Sequence, residues 1–104
     1  MIKVVVKLQI EGIHHWPDCM INEVGFLTFP HRHMFHVKLE KEVQGVDRDI
    51  EIIMLKRKIL NDFREVINFG SKSCERIASD ILVRYDCDKV EVLEDGELGA
   101  VVTK

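Results

Sequence analysis

An alternating segment at residues 31–43 constrains the fold of this chain more than any other feature. In a β-strand, side chains two positions apart point to the same face, so His31 and His33 share a face with Phe35 and Val37. This is the apolar face, which a small domain buries in its core. The segment therefore predicts a half-buried strand that delivers two imidazoles to one end of the core.

A second alternating segment brings a third histidine to the same kind of face. Counting by twos from Val4 along the strand predicted at residues 2–10 leads on to His14. Two adjacent strands can then place His14, His31 and His33 around one point. Three imidazoles with one open position are a ligand set of catalytic zinc, so the pattern predicts a zinc site. For the His31 and His33 pair alone, a structural or solvent-facing role is the alternative.

Two further histidines, His15 and His36, fall on the opposite face by the same count. We expect them at the surface or at a subunit contact. A slip of one residue in the strand register exchanges the two faces, so either of them is an alternative metal ligand.

Length and composition predict one domain, residues 1–104, and exclude several functions. The formal net charge of −3 gives no basic footprint, so we expect no nucleic-acid partner. Cys19, Cys74 and Cys87 include no Cys-x-x-Cys pair, which favours reduced thiols and a cytoplasmic protein. The sequence shows neither a signal-peptide pattern nor an apolar run long enough for a membrane span, so we expect no membrane partner.

Hydrophobic periodicity predicts an α+β fold with the element order β-β-α-α-β-β. Apolar residues recur every three or four positions over residues 48–68, which predicts an amphipathic helix. Ser73 is the expected N-cap of a second helix. Alternation on both sides of Asp95 and Gly96 predicts a closing hairpin, with its last strand at residues 98–102. We expect a four-stranded antiparallel sheet with both helices on one face.

Glu94 lies on the wrong face for a charged residue. By the period of two it points with Val90 and Val92 toward the helices or into a pocket, whereas Glu91 points outward. A buried carboxylate needs hydrogen-bond donors. A planar heterocycle with adjacent N–H and NH₂ groups, as in guanine or a pterin, offers it two parallel hydrogen bonds. Glu94 is therefore a predicted ligand anchor, with an ordinary carboxylate at the end of a hairpin as the alternative.

Four motifs occur in an order that is typical of one family. Residues 11–17, Glu-Gly-Ile-His-His-Trp-Pro, and residues 31–37, His-Arg-His-Met-Phe-His-Val, are similar to its zinc-binding strands. Residues 72–78, Lys-Ser-Cys-Glu-Arg-Ile-Ala, are similar to its Pro-Thr-x-Glu-x-x-Ala helix start, and residues 90–94 to its Val-x-Val-x-Glu strand. The chain thus resembles a short member of the 6-pyruvoyltetrahydropterin synthase and 6-carboxytetrahydropterin synthase family.

The resemblance implies a fold, an assembly and a ligand. The fold is the tunnelling fold (T-fold), whose subunits join edge to edge, and we expect a homo-oligomer, a hexamer of two stacked trimers. The resemblance also implies a zinc ion on His14, His31 and His33, and a pterin- or purine-like ligand whose ring is held by Glu94.

Two positions depart from the family's pattern. The family's catalytic cysteine lies four residues before the His-x-His pair, where this chain has Leu27, and its Leu-Asp-His segment has no counterpart between residues 58 and 73. Cys19 is the candidate replacement for the thiol. Other candidate bases are Asp18, Glu23 and His15. Three functions stay open: a slow zinc-dependent carbon–oxygen lyase, a non-catalytic protein that binds or sequesters a pterin or purine, and a metal-free structural subunit.

Overall fold

The computed structural model describes all 104 residues and contains one five-stranded sheet with two α-helices. The elements are β1 (Ile2–His14), a 3-10 helix (Asn22–Thr28), β2 (His31–Val43), α1 (Ile52–Asp62), β3 (Ile67–Gly70), α2 (Cys74–Arg84), β4 (Lys89–Glu94) and β5 (Leu98–Thr103). The strand order across the sheet is β3-β1-β2-β4-β5. Strand β3 runs parallel to β1, and all other neighbours are antiparallel. The fold is α+β with a mixed sheet.

The short strand β3 was not expected, since the sequence predicted four antiparallel strands only. The predicted helix at residues 48–68 ends at Asp62, and the chain is extended again at Ile67, which pairs with Gly12 of β1. Val66 and Ile67 continue the helical spacing, but both are β-branched and pack well on a sheet. The edge of β1 that is not paired with β2 offers hydrogen bonds to an extended segment, and these favour a strand at residues 67–70 over a longer helix.

Strands β1 and β2 form one long ribbon that carries the histidines. They pair over thirteen positions, from Ile2 opposite Val43 to His14 opposite His31. The bounds of β2 are those predicted, whereas β1 continues four residues past the predicted residue 10. Gly12 makes this extension possible, because a Cβ atom there would lie 2.5 Å from Cε2 of Phe69. An aromatic ring therefore packs directly on the backbone of β1 two residues before the end of the strand.

The core lies between the sheet and the two helices. Its fifteen buried residues are apolar. Among them are Val6, Leu8, Ile10, Phe35, Val37, Val90 and Val92 from the strands and Ile59, Ile77, Ala78 and Ile81 from the helices. His14 is the only buried polar or charged residue, with 8% of its surface exposed. The apolar core thus ends at an imidazole.

Both helices are short and begin at a side-chain cap. The Glu51 carboxylate accepts a hydrogen bond from the Ile53 N–H at 2.7 Å, and the Ser73 hydroxyl accepts one from the Arg76 N–H at 3.2 Å, as an N-cap does. Each helix has 11 residues. None of the helices combines the length and the apolar character needed to cross a membrane.

Candidate metal centre

Three strands bring potential metal ligands to one end of the sheet. His14 is the last residue of β1 and pairs with His31, the first residue of β2. Glu94 is the last residue of β4 and pairs with Phe35, two residues beyond His33. One ligand atom from each of the three imidazoles and the carboxylate lies within 4.8 Å of the other three. This group can hold a metal ion.

The imidazoles are arranged around a point rather than stacked. Ring centroids are 4.7 Å apart for His14 and His31 and 4.9 Å apart for His31 and His33, with interplanar angles of 69° and 82°. The fully buried Phe35 ring packs edge-on against His14 and His33, at centroid distances of 5.2 and 5.7 Å. Phe35 therefore provides an apolar contact surface that restricts the orientation of the His14 and His33 rings.

Hydrogen bonds on the outer side fix the tautomer of each histidine. Each Nδ1 atom lies beside an oxygen atom that accepts a hydrogen bond. In the neutral form of each ring, the single proton is therefore on Nδ1 and the lone pair of Nε2 points to the centre. The acceptors are the Lys72 carbonyl for His14 at 2.9 Å, the Phe29 carbonyl for His31 at 2.8 Å and the Asp95 carboxylate for His33 at 2.7 Å. Metal-bound histidines typically have such outer partners.

Asp95 is well suited to accept the hydrogen bond that Nδ1–H of His33 donates. The hydrogen bond from His33 and a second one from the Met34 N–H, at 3.0 Å, hold the pKa of its carboxyl below the usual value. Asp95 therefore remains ionised. The sequence had identified this residue only as the first half of a hairpin turn, and its positive φ of 53° fits that role too.

The inner nitrogens have no hydrogen-bond donors. The buried Nε2 atoms of His14 and His31 make no hydrogen bond. Nε2 of His14 lies 2.7 Å from Oε2 of Glu94, but without the geometry of a hydrogen bond, and Nε2 of His33 lies 3.2 Å from the same oxygen. With the protons on Nδ1, the Nε2 atoms and Oε2 of Glu94 are all hydrogen-bond acceptors that lie together without a donor. Each unsatisfied buried polar atom lowers the free energy of unfolding by about 1–3 kcal/mol. A cation at their common centre removes this cost.

A cavity of about 430 Å³ opens beside two of the imidazoles, those of His14 and His31, and the carboxylate of Glu94. His14, His31 and Glu94 line it on one side, and Trp16 and Leu27 line it as well. The first turn of α2 and the loop before it complete the wall through residues 71–75. Sites for small molecules usually have volumes of about 300–1,000 Å³. The cavity therefore has room for a bicyclic heterocycle next to the metal ligands.

A larger groove, of about 630 Å³, lies away from these ligands. It is lined by His36, Lys7 and Lys38, and its wall includes no residue of the histidine and glutamate group. We therefore assign the candidate functional site to the smaller cavity. His36 stands apart from the metal ligands, whereas His15 lines the smaller cavity, although strand parity had placed it on the other side.

Cys19, the candidate catalytic residue, is half-buried in the loop between β1 and β2. Its thiol donates to the carbonyls of Val24 at 3.6 Å and Ile21 at 3.8 Å. Cys19, Asp18 and Glu23 are not among the residues that line the cavity, whereas Leu27 is. The wall thus carries a leucine at the position where the family's thiol was expected.

Cys74, one of the three cysteines that the sequence predicts as reduced thiols, is a residue of the cavity. It follows the Ser73 cap in the first turn of α2 and lines the cavity. Burial, together with the charges of Glu94 and Glu75, raises the pKa of the Cys74 thiol to about 12. The thiol is therefore protonated at neutral pH when no metal is bound to it, and in that state it is a poor nucleophile.

Comparison of the chain with protein-family models and with curated proteins finds no match. The resemblance to the tetrahydropterin synthases therefore rests on the sequence motifs.

Proposed function

We propose that this protein is a zinc-dependent binding protein with the T-fold, similar to the 6-pyruvoyltetrahydropterin synthases, which holds a pterin- or purine-like ligand beside its metal. The observation that carries this proposal is the set of three imidazoles whose Nδ1 atoms are bound on the outside and whose Nε2 atoms converge. The packing of an apolar core does not require the Nε2 atoms of three histidines to converge.

The donor set favours zinc over magnesium or calcium. Imidazole nitrogens and one carboxylate suit zinc and other transition metals, whereas magnesium and calcium prefer oxygen ligands. Tetrahedral zinc with bonds of about 2.0–2.2 Å holds its ligand atoms about 3.3 Å apart. The four ligand atoms of His14, His31, His33 and Glu94 lie within 4.8 Å of one another, and the contacts of Glu94 with His14 and His33 are 2.7 and 3.2 Å. When bound, zinc supplies a Lewis acid that polarises an oxygen of the ligand.

The walls of the cavity suit a flat ring with polar edges. Trp16, Leu27 and Leu98 provide apolar contact area, and Ser71, Ser73 and Glu94 provide polar groups. A carboxylate is complementary to the paired N–H and NH₂ donors of a pterin or guanine edge. These features support the same ligand class as the sequence motifs.

Binding without efficient turnover fits the residues better than catalysis. Leu27 cannot transfer a proton, the Cys74 thiol stays protonated, and the Cys19 thiol donates to loop carbonyls. Of the replacement bases suggested by the sequence, only His15 lines the cavity. A slow lyase-type conversion is therefore the second candidate function, with His15 as the proton acceptor.

The sheet edges favour assembly into a ring. One side of β5 has no partner strand, and β1 is paired by β3 at its last residues only. Long unpaired edges are avoided in natural proteins. We propose that copies join edge to edge into a homo-oligomer, a hexamer of two stacked trimers, as the family resemblance implies.

Metal analysis followed by ligand titration tests the proposal. Protein purified without a histidine tag should contain about one zinc per chain. Neopterin or guanine should then change the fluorescence of Trp16, the only tryptophan and a cavity residue. The proposal fails if the protein never exposed to chelator contains no metal, because a metal-free structural subunit would then be the better description.

A further inference from the structure

Glu94 occupies a position that conflicts with a simple anchoring role. Its Oε2 atom lies 2.7 Å from Nε2 of His14 and 3.2 Å from Nε2 of His33. This oxygen is therefore placed among the inward-pointing lone pairs. A carboxylate oxygen that is bound to a metal cannot at the same time accept both donors of a ring edge.

We propose that Glu94 is a displaceable fourth ligand of the metal. It closes the centre in the absence of ligand and leaves the metal when a ligand binds, after which it is free to accept the donors of the ring. This inference rests on the proposed metal site and adds a specific exchange of ligands to it.

Charge supports coordination by Glu94. The three imidazoles are neutral when Nδ1 carries the proton, so they leave the full double charge of a divalent cation uncompensated. Burial of uncompensated charge is costly, and the side chains of His14 and His33 are only 10% and 21% exposed. The carboxylate halves this charge. Its Oε2 atom is also the charged atom that lies against Nε2 of His14 and Nε2 of His33.

The freedom of the carboxylate supports displacement. Each imidazole is held by a hydrogen bond at Nδ1, whereas no hydrogen bond from the chain fixes the carboxylate of Glu94. The Glu94 side chain is 25% exposed and lines the cavity. It can therefore rotate from the metal toward the cavity while the three histidines stay in place.

The exchange defines a class of ligand. A molecule that replaces Glu94 needs an oxygen or nitrogen donor for the metal, and it gains further if a ring edge offers N–H groups to the released carboxylate. A pterin with vicinal hydroxyls on its side chain has both features. Guanine has the ring edge but no such hydroxyls.

Cobalt(II) is a suitable probe because its absorption bands report the coordination of the ion. We expect Glu94→Ala to bind Co²⁺ at least about tenfold more weakly than the wild type, a loss of about 1.4 kcal/mol. Azide should bind the cobalt form of Glu94→Ala at least about tenfold more tightly, since it no longer competes with a carboxylate. Glu94→Gln keeps the shape of the side chain, and its affinities for Co²⁺ and azide should lie between those of the wild type and Glu94→Ala. Glu97→Gln, an exposed change in the same hairpin, is the matched control and should behave like the wild type.

Three outcomes are informative. Neopterin should shift the cobalt bands of the wild type, and a failure of neopterin to shift them would overturn the displacement. Equal Co²⁺ and azide affinities in the wild type and both Glu94 variants would show that Glu94 is not a ligand, while the proposed function would stand. A wild type that binds no Co²⁺ would overturn both proposals.

Discussion

Asp95 holds His33 from outside the candidate metal centre, with its Oδ2 atom 2.7 Å from Nδ1 of the imidazole. The same carboxylate accepts a hydrogen bond from the Met34 N–H at 3.0 Å, and the Asp95 N–H donates to the Met34 carbonyl at 2.8 Å. The β4–β5 turn is thereby attached to β2 next to a potential metal ligand. Its role is to position His33 and to fix the proton on Nδ1.

Asp95→Asn should weaken metal binding about 10–100-fold, because outer partners of metal-bound histidines typically contribute that much. The asparagine amide can present either its oxygen or its NH₂ group to Nδ1, so the tautomer of His33 is no longer fixed. Competition with a chromogenic chelator measures the affinity, and nitrogen NMR of the metal-free protein measures the tautomer. An unchanged affinity together with an unchanged tautomer would contradict the role.

Removal of one histidine should weaken zinc binding. We expect His31→Ala and His33→Ala to contain much less zinc than the wild type after dialysis, since each loses one of the three imidazole ligands. His36→Ala is the matched control, because His36 lies on the same strand but lines the groove away from the metal ligands. Its zinc content should equal that of the wild type, as measured by elemental analysis. Equal zinc in all three variants would exclude these histidines as ligands.

Strand periodicity predicted the faces of the potential metal ligands better than it predicted which side chains meet, since His15 lines the cavity and Glu94 lies against His14 and His33. The bounds of β2 were predicted correctly, and the period of two by itself indicated that His14, His31, His33 and Glu94 share one face. The outer hydrogen bonds were not predictable in this way. The carbonyls of Lys72 and Phe29 belong to irregular segments, whose paths depend on packing over the whole molecule.

The parallel strand β3 illustrates a second limit. Four residues at the end of a helical pattern give no local signal for a strand, and Val66 and Ile67 fit the helical spacing as well. The deciding contacts are with Gly12 and Ile13, more than fifty positions earlier in the chain. Pairing over that separation depends on the fold and not on the sequence of the segment itself.

Tyr85→Phe should lower the free energy of unfolding by about 1–2 kcal/mol without changing the zinc content. The Tyr85 hydroxyl donates to Oδ2 of Asp62 at 2.7 Å and so links the ends of the two helices, away from the metal ligands. Urea denaturation of the zinc-loaded proteins measures the difference. An unchanged unfolding midpoint would show that this hydrogen bond makes no net contribution.

The same residue predicts a dependence on alkaline pH. Burial and then the hydrogen bond to Asp62 raise the pKa of the Tyr85 hydroxyl well above its usual value. A raised pKa in the folded state means that the contribution is complete below about pH 10, where the unfolded tyrosine ionises, and is lost as the pH rises further. The wild type should therefore lose stability more steeply than Tyr85→Phe above about pH 10.

Assembly should be visible in solution. We expect light scattering of protein at micromolar concentration to give the mass of a hexamer, since β5 and most of β1 present unpaired edges. A monomer at that concentration would contradict the ring. It would leave the metal prediction intact, because all four potential ligands come from one chain.

Turnover should be affected far more than binding by the departures from the family's pattern. Acid and base groups usually contribute about 10²–10⁴-fold each, so without the expected thiol and the Asp-His pair we expect very slow conversion of dihydroneopterin triphosphate. Glu94→Gln, assayed with zinc in excess, should weaken pterin binding because an amide has only one acceptor oxygen. Cys19→Ser should change neither affinity nor rate, because the thiol donates to the loop carbonyls of Ile21 and Val24. Rapid wild-type turnover that Cys19→Ser abolishes would instead show that this loop cysteine has taken over the catalytic role.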